Sequence, residues 1–147
     1  MVYSAMAIAN AFIAKAKIGE VHNLTPMKLQ KLLFFAQSWY LKLYDQALFS
    51  STFSRWQYGP VIPEIYHEFK PFGSRDIERF GTDIWGKEQH LVQSDTSILD
   101  FLDKIIETYG HFDGSQLSWM THQPNTAWSM GELGTDISME ELKNGKV

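Results

Sequence analysis

The sequence contains no cysteine and no long apolar run. The lack of cysteine excludes a disulfide framework, thiolate catalysis and zinc–thiolate sites, and it is compatible with the cytoplasm, where we expect the protein to act. The apolar run from Leu32 to Ala36 is far too short to cross a bilayer, so we expect no membrane partner. No lysine or arginine precedes the apolar N-terminal stretch, and Asn10 interrupts it, which argues against a signal peptide.

Basic residues are outnumbered by acidic ones: there are 13 lysines and arginines against 17 aspartates and glutamates, and the formal net charge is −4. The densest basic cluster, Lys15 and Lys17, is only two charges long. Because neutralisation of phosphates supplies most nonspecific affinity for nucleic acid, this balance argues against a nucleic-acid partner. A DNA-binding transcriptional regulator stays an alternative function, since a local basic patch can lie on an acidic protein. The acidic balance is better suited to a basic protein partner.

Apolar residues are plentiful: hydrophobic residues make up 44% of the chain and aromatic residues 14%. Such a chain can form a core without disulfides, and we expect one domain over residues 1–147. Its most regular segment begins at Thr25 and Pro26, an N-cap and a first-turn proline, and continues to about Tyr44. This helix is apolar nearly all round, so we expect it at the centre of the fold. Its polar exceptions must reach water or a partner: Lys28, Gln30, Lys31, Gln37 and Lys42.

The remaining segments predict more helices and a small β element. Residues 45–58 lose the helical period and contain good strand formers, which favours one or two short strands. We therefore expect a mostly α fold, a compact helical domain built around the central buried helix. Further helices are predicted after Ser4 to Gly19, from Pro63 to Pro71, from Ser94 or Asp95 to Gly110, around Ser115 to Thr121, and after Ser138. Between Ser74 and Gln93 the pattern indicates a long connection with a hairpin near Gly86.

Motifs of catalysis are absent from the sequence. It has no G-x-S-x-G or S-x-x-K motif and no glycine-rich phosphate loop, so we expect no catalytic residues and no cofactor. The closest metal-like grouping is His111, Asp113 and His122, because two histidines and a carboxylate can hold iron or zinc. A metal-dependent hydrolase at these residues is a second alternative, although ordinary hydrogen-bonded histidines explain such a scattered trio better.

The most distinctive stretch runs from Phe53 to Gly73, FSRWQYGPVIPEIYHEFKPFG. Its glycine–proline pair predicts a turn with a stiff exit. Two interpretations stay open for the rings before the turn. They can fill the core beside it, or the turn can present Trp56, Tyr58 and Arg55 at the surface, since these residue types dominate the energetics of protein interfaces.

The sequence resembles the Panacea antitoxin domain family, the SocA-like or phage-associated GepA-like proteins. The resemblance is carried by LTPMKLQKLLFFAQSWYL, from Leu24 to Leu41, and by FSRWQYGPVIPEIYHEF, from Phe53 to Phe69. A weaker similarity continues through ILDFLDKIIETYG and LSWMTHQPNTAW, so that nearly the whole chain as far as Trp128 is covered.

This resemblance implies a non-enzymatic antitoxin, associated with a phage or a mobile element, that neutralises a cognate toxin by binding it directly. Some members of the family act as adaptors that deliver a toxin to a protease, so a protease is a further expected partner. Combining the family motifs with the residue types that dominate interfaces, we predict these partner-binding residues: Lys28, Lys31, Arg55, Trp56, Tyr58, Gly59 and Pro60.

Overall fold

A computed structural model describes residues 2–147. Within them, the fold consists of six α-helices and a small antiparallel sheet, which confirms the predicted mostly α fold. The helices are α1 (Ala5–Lys17), α2 (Pro26–Tyr44), α3 (Pro63–Phe69), α4 (Thr96–Tyr109), α5 (Gly114–Thr121) and α6 (Met139–Asn144). Single 3-10 turns follow at Lys70–Phe72 and Trp128–Met130. No helix in the described part of the chain is long and apolar enough to cross a membrane.

Helix α2 begins and ends where its sequence predicts. The Thr25 hydroxyl accepts a hydrogen bond from the backbone N–H of Lys28 at 3.2 Å, and Pro26 occupies the first turn. Asp45 ends the helix in a left-handed conformation, with φ of 54°. Helices α1, α3, α4, α5 and α6 all pack against α2, so its central position is confirmed. Its apolar residues between Leu29 and Ala36 are almost completely buried.

Two glutamines of α2 form hydrogen bonds with backbone groups of the neighbouring loops. The Gln30 amide donates to the carbonyl oxygen of Ile62 at 3.1 Å and accepts from its N–H at 2.9 Å. The Gln37 amide donates to Phe49 at 2.6 Å and accepts from the N–H of Leu48 at 2.7 Å. Buried loops are stable only when such groups are paired, so the polar positions of α2 reach neighbouring backbone rather than water.

Lysines of α2 make the same kind of contact at helix ends. Lys28 Nζ donates to Gly110, the C-cap of α4, at 2.5 Å and to His22 at 2.7 Å. Lys42 Nζ donates to two carbonyl oxygens at the end of α6, both at 2.5 Å. The last carbonyl groups of a helix carry partial negative charge and lack partners within the helix. Hydrogen bonds to these carbonyl groups therefore stabilise a lysine ammonium group where no carboxylate is paired with it.

The sheet has the strand order β2-β1-β3 and contains β1 (Phe53–Trp56), β2 (Gly59–Val61) and β3 (Asp136–Ile137). Strands β1 and β2 form a hairpin that turns at Gln57 and Tyr58, and both pairings of β1 are antiparallel. The turn predicted at the glycine–proline pair is therefore placed two residues too late, because Gly59 and Pro60 begin β2 and pair with β1. Strand β3 was not predicted, because its two residues carry no strand pattern. It places the C-terminal segment beside the hairpin.

Candidate partner-binding surface

The β1–β2 hairpin turns through two residues, since Trp56 is paired with Gly59 and only Gln57 and Tyr58 lie between them. Gly59 has a φ of +115°, which a residue with a side chain adopts only under strain. The turn therefore has a fixed backbone shape. It projects the Tyr58 side chain outwards, where 64% of the residue is exposed.

Side chains of the C-terminal third hold the carbonyl oxygens of this turn. Trp128 Nε1 donates to Trp56 at 2.9 Å, and the Ser118 hydroxyl donates to Tyr58 at 2.6 Å. A ring nitrogen of His122 lies 2.8 Å from the carbonyl oxygen of the intervening glutamine. Two of three consecutive carbonyl groups thus accept a hydrogen bond from a side chain, the third lies against a histidine ring, and the turn is braced from behind.

The buried side of the turn rests on Lys31. Only 1% of this residue is exposed, and its Nζ donates to Pro60 at 3.3 Å. Burial lowers the pKa of Lys31 to about 7. A Cβ atom at Gly59 would lie 2.8 Å from Lys31 Cε and 2.8 Å from Thr121 Oγ1. The absence of a side chain at position 59 is therefore what allows the turn to pack on the lysine.

Arg55 is buried and points to the other side of the hairpin, with only 3% of the residue exposed. Its guanidinium group donates five hydrogen bonds to the C-terminal segment, at 2.8–3.0 Å. Four of them go to Ala127, Trp128, Thr135 and Asp136, and the fifth goes to a carboxylate of α6. All donors of the side chain are used, so Arg55 attaches residues 127–141 to the sheet.

The predicted partner-binding residues divide into an inner and an outer group. The prediction that Lys28, Lys31 and Arg55 lie at the surface is wrong: 3% or less of each is exposed, because each serves backbone groups inside the fold. Gly59 and Pro60 are also buried. Only Trp56 and Tyr58 of the seven reach the surface, and contact of any of the seven with a partner stays a prediction.

An aromatic residue of α3 lies beside the hairpin. The partly buried Trp56 packs edge-on against Tyr66, with ring centroids 4.9 Å apart. Tyr66 in turn contacts the ring of His67 at 5.6 Å. We call Trp56, Tyr58 and Tyr66 the ring surface. Each of the two interpretations of the stretch is therefore correct in part. Arg55 is buried inside the fold, whereas Trp56 and Tyr58 reach the surface.

The residues of the metal-site alternative have separate local roles. The Asp113 carboxylate and the Gln116 side chain form the capping box of α5. Both ring nitrogens of His122 lie near carbonyl oxygens, at 2.6 Å from Ser118 and at 2.8 Å from the hairpin turn. Across residues 2–147, no three histidine or carboxylate side chains are grouped so that they could hold a metal ion.

The side chains that brace the turn were missed by sequence reasoning. Ser118, His122 and Trp128 lie some 60–70 residues beyond the hairpin, and no local pattern pairs them with it. The run THQPNTAW entered the sequence analysis only as part of the weaker family similarity, and the structure shows it as mostly irregular backbone after α5. Its irregular path is what allows a histidine and a tryptophan to reach consecutive carbonyl groups.

The protein is a mostly helical domain built on α2, with a braced hairpin that contains Gly59 and Pro60. The chain belongs to the antitoxin SocA-like family of Panacea domains, which matches residues 29–129. It is 29% identical over 131 residues to antitoxin SocA of Caulobacter vibrioides (strain NA1000 / CB15N), and the alignment covers 86% of this chain and 69% of that protein. No solved structure matches at a significant level. The family predicted from the sequence is confirmed, and a toxin partner in general follows from it.

The buried position of Lys31 predicts a pH dependence of stability. Its pKa is about 7 in the folded protein and ordinary in the unfolded chain, so between about pH 7 and pH 9 the unfolded chain binds more protons. The free energy of unfolding should therefore rise with pH in this window. We expect Lys31→Met to weaken that rise, measured by urea unfolding at several pH values. The surface variant Lys104→Met is the control and should keep the wild-type slope; an unchanged slope in Lys31→Met would contradict the assignment.

Proposed function

We propose that the protein is a non-enzymatic antitoxin that neutralises a cognate toxin by binding it directly, with the ring surface as its main contact. The observation that carries this proposal is the braced β1–β2 turn. It holds an exposed tyrosine on a backbone whose carbonyl groups are already contacted by side chains from behind. The backbone that presents this side chain therefore loses little conformational freedom when a partner covers it.

The chemistry of the ring surface supports binding rather than catalysis. Tyrosine and tryptophan are enriched among the residues that contribute most to the stability of protein complexes. Each offers a large apolar area together with one polar group, so it can leave water at a moderate cost. Tyr58 and Trp56 supply these features at the same turn, and Tyr66 extends the area.

The acidic balance of the chain supports a basic toxin. The formal net charge of −4 would speed association with a positively charged protein, while the rings would keep the complex together. Toxins that act on RNA are often basic because they must approach phosphates. A specific complex of this kind should bury roughly 1,200–2,000 Å² in total.

The test compares single substitutions on the ring surface. Tyr58→Ala removes an exposed side chain and leaves the carbonyl group that Ser118 binds, so the fold should be unchanged. We expect the dissociation rate of the purified antitoxin–toxin complex to rise about tenfold or more, with a smaller change in the association rate. Trp56→Ala should act in the same direction. Surface plasmon resonance measures both rates, with the toxin obtained by co-expression from the neighbouring gene.

The matched control is Tyr44→Ala, which removes another exposed tyrosine at the end of α2, where 55% of the residue is exposed. It should leave both rates as in the wild-type protein. Rescue of growth without any detectable complex would rule out direct binding. Unchanged rates in both ring variants would limit Trp56 and Tyr58 to packing.

A further inference from the structure

Two large apolar side chains lie almost fully in solvent at the tip of a second hairpin. In the long connection between α3 and α4, Ile84 is 91% exposed and Trp85 is 85% exposed. A short bridge between Thr82 and Glu88 closes this hairpin, near the predicted position. Single exposed apolar residues are common, but an adjacent isoleucine and tryptophan at one tip form an apolar surface that nothing in residues 2–147 covers.

The backbone of this tip is fixed although its side chains are exposed. The Asp83 carboxylate accepts hydrogen bonds from the backbone N–H groups of Trp85, at 2.9 Å, and Lys87, at 3.0 Å. The backbone N–H of Asp83 also donates to the carbonyl oxygen of Lys87 at 2.9 Å, and its carbonyl oxygen accepts from the N–H of Gly86 at 3.0 Å. The tip therefore presents its apolar side chains in a defined direction, and little backbone freedom is left to lose on binding.

A cavity of about 520 Å³ opens beside the tip. Its lining includes Ile84 from the hairpin and three carboxylates, Glu64 and Glu68 on α3 and Asp83 on the tip, but no lysine or arginine. His67, which contacts Tyr66, also lines it, so the cavity adjoins the ring surface.

Two of the three carboxylates form no ion pair within residues 2–147. Glu68 pairs with Arg79 at 2.8 Å, so its charge is compensated. Glu64 accepts a hydrogen bond only from the Ser51 hydroxyl, at 2.5 Å, and Asp83 is bound by backbone N–H groups. Lys87 on the same hairpin offsets the charge of Asp83 in part, whereas Glu64 has no cation beside it among the described residues. The cavity beside the apolar tip therefore stays negative on balance, which favours a cationic group on the partner that covers it.

We propose that the tip of Ile84 and Trp85, with the carboxylate-lined cavity beside it, is a second contact surface for a basic amphipathic segment of the toxin. The apolar side chains of that segment cover the tip, and a lysine or arginine enters the cavity next to Glu64 and Asp83. This inference rests on the proposed function, because it takes the toxin to be a directly bound partner. The same carboxylates repel phosphates, which disfavours an anionic membrane or a nucleic acid as the occupant.

The first experiment uses defined probes with the whole protein. The anisotropy of a labelled peptide of alternating lysine and leucine reports binding, and a glutamate–leucine peptide and vesicles of equimolar phosphatidylserine and phosphatidylcholine are compared with it. We expect only the basic peptide to bind. Trp85→Ser should weaken its binding about tenfold or more. Glu64→Gln with Asp83→Asn keeps the hydrogen-bond acceptors, removes both charges, and should weaken binding and its dependence on salt.

The matched control is Trp119→Ser on α5, which removes another exposed tryptophan that lines no part of this cavity. It should bind the basic peptide as the wild-type protein does. Equal binding of the acidic peptide, binding of the vesicles, or unchanged affinity in Trp85→Ser would overturn the inference.

The second experiment separates this inference from the proposed function. If the wild-type protein forms no complex with the co-expressed toxin, direct neutralisation is wrong, and so is the assignment of the tip to that toxin. If the wild-type protein binds the toxin and Trp85→Ser binds it equally well, the proposed function stands and the second surface is wrong. We expect Trp85→Ser to dissociate from the toxin faster, as Tyr58→Ala does.

Discussion

Replacing Arg55 with alanine is expected to lower the free energy of unfolding by about 3–5 kcal/mol, because several buried acceptors would lose their donor at about 1–3 kcal/mol each. The side chain is buried and donates five hydrogen bonds, three of them to carbonyl groups at Ala127, Trp128 and Asp136. Those acceptors would lose their donor, and Glu141 would lose its cationic partner. Chemical unfolding measures the loss, and hydrogen exchange should show early opening of residues 127–141.

Two further variants identify the cause of that loss. Arg55→Lys keeps the positive charge but cannot form the planar fork of donors, so we expect it to lose most of the stability that Arg55→Ala loses. Arg79→Ala removes an arginine that forms an ion pair at the surface, where its side chain is 48% exposed, and should cost less than about 1 kcal/mol. Wild-type stability in Arg55→Lys would mean that charge, and not the hydrogen-bond network, holds the C-terminal segment.

Local signals were sufficient to predict the helices. Thr25 and Pro26 start α2, and the Ser138–Glu141 capping box starts α6, because a cap is made by residues a few positions apart in the chain. A short strand and a turn near Gly59–Pro60 were also predicted and are present, although this pair begins β2 and the turn lies at Gln57 and Tyr58. In each case the residues that determine the local structure lie only a few positions apart in the chain.

Contacts between distant segments could not be predicted in the same way. Lys31 was expected at the surface because lysine is rarely buried, yet it lies under a turn that starts some 25 residues later. Strand β3 forms because Arg55 and β1 bind the C-terminal segment, and its own two residues give no signal. The same limit applies to the surface: the sequence marked Trp56 and Arg55 together, and only packing decides that one faces outwards and the other inwards.

Replacing Gly59 with alanine should affect both the fold and the ring surface. The residue has a φ of +115°, and a Cβ atom there would lie 2.8 Å from Lys31 Cε and from Thr121 Oγ1. Backbone strain of this kind costs roughly 1–3 kcal/mol, and the contacts add to it, so we expect a total loss of about 2–4 kcal/mol. Because the turn must shift away from Lys31, Tyr58 should also be displaced, and toxin binding should weaken even where the variant is still folded.

Gly19→Ala separates strain from contact. Gly19 has a φ of +84°, and no atom lies within 4 Å of the position that its Cβ would occupy. This variant should lose only about 1 kcal/mol, from the backbone conformation alone, and should bind the toxin normally. The difference between the two variants in chemical unfolding then measures the packing of the turn on Lys31. If Gly59→Ala were as stable as Gly19→Ala, the turn would have room to move, and its fixed shape could not be the reason that Tyr58 is held ready for a partner.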